Sequence, residues 1–176
     1  MKKITLTFGF IAGLILTTVM VVSTMLCYNN TNFEGNMLLG YASMLLAFSF
    51  IFVGTKNYRD NHLGGTISFG KAFQVGLYIS LVASTMYVLT WLVEYYVFIP
   101  DFMDKYGDYM MRDAAASGKD LIKTREQVDE YKRLYQNPVF VIILTYIEVL
   151  PIGLLLSLVS ALIFKRKDRP AATTLT

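Results

Sequence analysis

In 176 residues the chain has one cysteine, one histidine and four prolines, and four long stretches almost without charge. Cys27 alone excludes an intrachain disulfide, and His62 has no companion ligands for a metal site. No HExxH, GxSxG or GKS/GKT sequence occurs, which removes the common metalloprotease, hydrolase and P-loop readings. A net charge of +3 is not a nucleic-acid signal, and its placement bears on topology instead. The expectation is a protein that is not an enzyme, with no catalytic residue, no cofactor and no metal.

What is present is apolar. Hydrophobic residues make up 55% and charged residues 16%, where a soluble domain carries about 25% charged. Residues 4–26, 37–54, 72–99 and 139–164 contain no Lys or Arg and two acids, Glu94 and Glu148. Each run meets or approaches the roughly 20 residues that cross a bilayer. The predicted fold is all-α, one membrane domain over 1–176: an integral membrane four-helix bundle with spans near 4–26, 37–55, 71–99 and 138–164. After "MKK" the first run is longer than the 7–15-residue core of a signal peptide and lacks an A-x-A-like site, so it is read as a retained span.

Charge placement sets the expected orientation. With the N-terminus inside, Lys2, Lys3, Lys56, Arg59, Lys71, Lys165, Arg166, Lys167 and Arg169 all fall on the cytoplasmic side. Seven basic residues in 100–138 are offset by eight acids, and long segments cross with little regard to charge. Both termini are therefore expected in the cytoplasm. Trp91, Tyr95, Tyr96 and Phe98 read as an aromatic belt at the outer end of the third span.

Small residues mark the helix seams. The third span carries Gly76, Ser80, Ala83, Tyr87, Thr90 and Glu94 on one stripe. The second has Gly40, Ser43, Ala47, Phe50 and Gly54, and the first has Gly9, Gly13 and Thr17. Gly153, Ser157 and Ser160 give the fourth a small face. Close approach of small residues is how membrane helices associate.

Glu148 departs from this order. It lies ten residues after Pro138, about 15 Å into the helix, and on a straight helix it points away from the small face. Pro151, one turn on, removes a backbone donor and frees the carbonyl of Ile147. Glu94 lies only about 7–8 Å below the end of its helix. The structural reading of both is a neutral carboxyl hydrogen-bonded across the bundle, to Tyr87, Thr145 or Tyr146. The functional reading is a proton or cation site in a water-filled cavity open to the outer side. No basic residue in the spans can pair with either.

Between spans two and three, "KNYRDNHLGGTISFGKAFQVG" reads as a positive turn with "GG" at its bend and Gly70 as a further backbone break. Lys56, Arg59, Phe69, Lys71 and Phe73 would sit at the inner interface, or form a docking surface there. Residues 100–137 read as an extramembrane helical hairpin between spans three and four. Its first helix starts at Pro100 and gathers Phe102, Tyr106, Tyr109 and Met110 on one face. Its second is capped near Ser117, with Leu121, Val128, Tyr131 and Tyr135 as its apolar stripe.

The runs "YRDNHLGGTISFGKAFQVG" and "IEVLPIGLLLSLVSALIFKRK", with Pro100 and Asn137–Pro138, carry a resemblance. The chain resembles, over nearly its whole length, an uncharacterised family of small four-span bacterial inner-membrane proteins, a domain of unknown function. That resemblance implies bacterial membrane residence and supplies no activity, substrate or site residue. The leading expectation is a non-enzymatic structural, accessory or assembly component. Its partners would be the lipid bilayer and a second copy or another membrane protein, with no nucleic acid. The alternative is a small oligomeric proton- or cation-coupled transporter using Glu148 and Glu94.

Overall fold

A computed structural model describes residues 1–30, 33 and 36–165, and these form an all-α bundle. The elements are α1 (Lys2–Asn30), α2 (Asn36–Phe48), α3 (Phe50–His62), α4 (Phe69–Val93), α5 (Phe102–Ala116), α6 (Leu121–Tyr135) and α7 (Pro138–Phe164). One π-helical turn, Glu94–Phe98, prolongs α4. The segments Lys2–Asn30, Leu38–His62, Phe69–Phe98 and Pro138–Phe164 are long and apolar enough to cross a membrane. Arg166, Lys167, Asp168 and Arg169 of the basic tail lie outside the described residues.

Large apolar side chains point away from the bundle on every one of these segments. Phe10, Leu14, Leu46, Val53, Leu89, Val97, Ile147 and Leu155 are all exposed. A soluble protein would bury such a set; hydrocarbon is the solvent that suits it. The interior is built from Leu16, Phe48, Ile51, Val75 and Ile79, all fully buried, with small residues between them.

Second-span continuity survives Ser49, whose hydroxyl donates to Leu46 O at 2.6 Å and whose backbone stays helical. This back-bonding occupies a carbonyl that the ladder would use, which separates α2 from α3 without turning the chain. Ser68 caps α4, and Asn137 caps α7 with Pro138 at the first helical position.

The seams form where small residues lie, with one exception. An added Cβ at Gly9 would meet Val82 at 2.7 Å, and one at Gly13 would meet Met86 at 2.6 Å, so α1 runs parallel against α4. Gly76 faces Ser157 and Gly153 faces Ser80, each at 2.7–2.8 Å, which sets α7 antiparallel on α4. Ala47 is fully buried beside this seam. Ser80 donates to Gly76 O at 3.0 Å and Ser157 to Gly153 O at 2.7 Å, while their hydroxyl oxygens sit 3.2 Å apart. Two protons thus serve three contacts, so the cross-helix bond forms at the expense of one backbone bond. Gly40 is the exception, because a Cβ there would meet nothing within 4 Å. α2 approaches the bundle through Met44, Ala47 and Phe48, below Gly40.

At the loop end, Gly64 (φ 63°) and Gly65 (φ 91°) make the expected bend in the left-handed region. Gly70 does not break the chain, since it lies in the first turn of α4, where Ser68 holds the backbone. Arg59 is buried: it pairs with Asp60 at 2.6 Å, and its guanidinium lies 5.2 Å from the Phe164 ring centroid. Lys56 is exposed and Lys71 half-buried. Phe69 and Phe73 stack at 6.3 Å.

The hairpin is α5 and α6. Gly107 lets α5 approach Val128 of α6, and Lys132 pairs with Asp104 across the two at 2.7 Å. α5 begins at Phe102, two residues after Pro100, and the cap of α6 is Asp120 rather than Ser117. The Asp120 carboxylate accepts from Ile122 N at 2.9 Å and Lys123 N at 3.2 Å. Ser117 instead ends α5, with Gly118 beyond it at φ 66°. This register buries Thr124 and Val128 and leaves Leu121 exposed, correcting the expected stripe. Tyr28 of α1 donates to Asp101, and Phe33 packs against Phe102, Tyr106 and Tyr109 at 5.5–5.7 Å, which ties the hairpin to the first span.

Candidate functional site

Beneath the hairpin lies a cavity of about 440 Å³. Five helices line it, each through residues one turn apart. α1 contributes Met20 and Thr24, α4 Tyr87 and Trp91, α6 Tyr131 and Tyr135, and α7 Leu144, Thr145 and Glu148. α5 adds Phe102, Met103 and Tyr106 as a roof. Spacing of four puts side chains on one helix face, so each helix turns a single face inward.

The floor is fixed by depth. Met20 lies ten residues before the end of α1, Tyr87 eleven before Phe98, and Glu148 ten after Pro138. At 1.5 Å per residue all three stand about 15 Å from the hairpin ends of their helices. Glu148 keeps an exposed side chain because it fronts this space. Cβ bonds tilt toward a helix's N-terminus, and that of α7 is at the hairpin, so the carboxyl leans toward the hairpin end of the space.

The walls are aromatic and mutually braced. Trp91 meets Phe102 edge to face at 5.3 Å, and Phe102 stacks on Tyr106 at 6.0 Å. Tyr135 packs on Tyr95 at 5.3 Å, while Tyr96 donates to the Tyr135 carbonyl at 3.1 Å. Burial, and after it the negative charge of Glu148, pushes the Tyr135 phenol up to about 12, so it is a neutral hydroxyl at physiological pH. Glu148 is then the one carboxylate in a wall of phenols, hydroxyls and hydrocarbon. Among the described residues no three His, Cys, Asp or Glu side chains converge to hold a metal ion.

Residues 7–166 match the model of a family described as a protein of unknown function, DUF4199. The chain belongs to that family. No curated protein and no solved structure matches it.

In this DUF4199 chain the expected polar site is divided. Glu148, Tyr87 and Thr145 share the cavity. Thr145 does not reach for the carboxyl; it donates to Val141 O at 2.7 Å. Tyr146 faces the other way and shares a hydrogen bond with Thr85 at 2.8 Å. Pro151 is exposed, as is Ile147 one turn before it, so the backbone interruption faces outward while Glu148 faces in.

Glu94 stands apart from the cavity lining. It is buried at 3% exposure, and neither carboxyl oxygen has a hydrogen-bond partner among the described residues. It opens the π-turn that Ile99 N–H closes onto Glu94 O at 3.0 Å. Such a turn inserts a residue and rotates the side chains beyond it. Tyr95 is turned inward with Trp91, leaving Tyr96 and Phe98 exposed, so half of the expected aromatic belt belongs to the bundle interior.

Proposed function

We propose that this protein is a non-enzymatic, multi-pass protein of a bacterial inner membrane that carries a proton or cation by way of Glu148, with its hairpin outside and both termini in the cytoplasm. The observation that carries the reading is Glu148 at the floor of a cavity about 15 Å below the hairpin end. A carboxyl that served packing alone would be hydrogen-bonded into a seam. This one fronts open space, with no cation in the wall to neutralise it, and intramembrane carboxyls in such positions mark ion pathways.

The rest of the bundle supports a carrier over a channel. Toward the loop end, Gly76, Ser80, Gly153 and Ser157 bring α4 and α7 into contact, so the cavity has a closed side. Passage requires that seam to part, as in alternating access. An accessory component would need no such arrangement.

The test is flux in proteoliposomes of the purified chain. A pH-dependent flux that Glu148→Gln abolishes, in a protein that still elutes as a monodisperse species, is the expected result. Flux of equal size in wild type and variant removes Glu148 from the mechanism.

A further inference from the structure

We infer that the cavity is a binding site for an organic ammonium cation. The inference rests on the reading of Glu148 as a cation site and narrows it to a ligand class. At about 440 Å³ the space lies within the range of small-molecule sites, far more than a bare proton occupies. A hard metal cation is held by several carboxylate and carbonyl oxygens, and the wall offers one carboxylate with only neutral phenols and hydroxyls around it. An anion would find no positive side chain there. The two lysines adjacent in sequence to Tyr106 and Tyr131 are engaged elsewhere: Lys132 pairs with Asp104 at 2.7 Å, and Lys105 pairs with Asp101 at 3.6 Å.

The chemistry left is a carboxylate below and aromatic rings around it. Trp91, Tyr87, Phe102 and Tyr106 line one continuous space, and tryptophan gives the strongest attraction to a cation over its ring. Quaternary ammonium groups, whose charge is spread over methyl surface, are the ligands that such cages recognise. The fold already makes this kind of contact between the hairpin and the first span, with Lys105 Nζ of α5 3.4 Å from the Tyr28 ring centroid of α1. Methylated or alkylated ammonium fits the cavity on charge, size and surface together.

The probe is benzyltrimethylammonium, compared with neopentylbenzene, its uncharged isostere. Binding is measured by equilibrium dialysis on the full chain in nanodiscs of zwitterionic lipid, and by fluorescence of Trp91, the one tryptophan of the sequence. The expected result is saturable binding of the cation at least tenfold tighter than the isostere. Glu148→Gln and Tyr106→Leu should each weaken the cation at least tenfold and leave the isostere unchanged. Tyr106 lies in α5, outside the spans, so its variant keeps the test decisive should Glu148→Gln misfold. Equal affinity for the two probes, or no loss in either variant, overturns the assignment in favour of an apolar cavity. If the cation fails to bind while Glu148-dependent proton flux persists, the ammonium class falls and the carrier reading stands. If wild type shows neither, both fall.

Discussion

α4 and α7 meet in two ways along their length. In the half near the loop end, glycine faces serine twice: Gly76 against Ser157 and Gly153 against Ser80. In the half near the hairpin, the same two helices turn Tyr87, Trp91 and Glu148 toward a shared space. The bond between Thr85 and Tyr146 joins the helices beside the open half. Lipid tails are as apolar as leucine, so nothing but fit and hydrogen bonding draws helices together. Small residues close the gap where it is to be closed. Large, braced rings hold it open where it is to be kept.

The sharpest way to break this contrast is to fill the closed half. A valine at Gly153 would place its Cβ 2.7 Å from Ser80 Oγ and 3.1 Å from Phe48. Overpacking of this kind costs about 1–3 kcal/mol, and the backbone on both sides has little room to yield. Gly153→Val should lower the thermal unfolding midpoint in detergent by several degrees. Thr24→Leu, an enlargement in the open half where the cavity can take the added volume, should stay within about 0.5 kcal/mol of wild type. Comparable losses in the two variants would mean that the halves do not differ in packing.

The two intramembrane carboxyls give the next contrast, and here the expected sign is positive. Glu94 is buried with neither oxygen hydrogen-bonded within the described chain, whereas Glu148 fronts the cavity. An unsatisfied buried polar group costs about 1–3 kcal/mol. Glu94→Leu should therefore raise the unfolding midpoint, by roughly 1 kcal/mol after the imperfect fit of the new side chain. A loss of stability in that variant would show that Glu94 has a partner in the membrane, such as a second copy or a bound ion.

Much of this is legible in the residues alone. Charge-free runs of sufficient length can hardly be anything but spans, and the seams at Gly9, Gly13, Gly76, Ser80, Gly153 and Ser157 follow from helical periodicity alone. Glu148 was also legible, because an acid at that depth in an apolar run has few excuses. The cavity was not. Its lining comes from five helices far apart in sequence, and Tyr106, Tyr131 and Tyr135 read equally well as the stripe that packs a hairpin. The signal available was subtler: aromatic residues at spacing four, Tyr87 and Trp91 on α4 and Tyr131 and Tyr135 on α6, the second pair in a segment otherwise rich in charge. The π-turn at Glu94 has no sequence mark, so the inward turn of Tyr95 could not be foreseen. Ser117 and Asp120 both precede a helical pattern, and only the left-handed Gly118 decides between them as the cap.

Gly40 supplies the smallest effect and the most economical test of what lies around the bundle. It belongs to the small-residue pattern of the second span, yet a Cβ there would touch nothing within 4 Å. Within one chain, then, Gly40→Ala has no steric cost and gains the helix preference of alanine, about 0.5–1 kcal/mol. At Gly76 the same change would push a methyl to 2.8 Å from Ser157 and 3.0 Å from Ile51, so it should destabilise. Opposite signs at the two glycines, read as unfolding midpoints in dilute detergent, are the expected outcome. A loss at Gly40 as well would mean that another helix approaches it in the assembled protein. A homo-oligomer would then reveal itself by a midpoint that rises with protein concentration in wild type and not in Gly40→Ala, because mass action stabilises only a chain whose partner can bind.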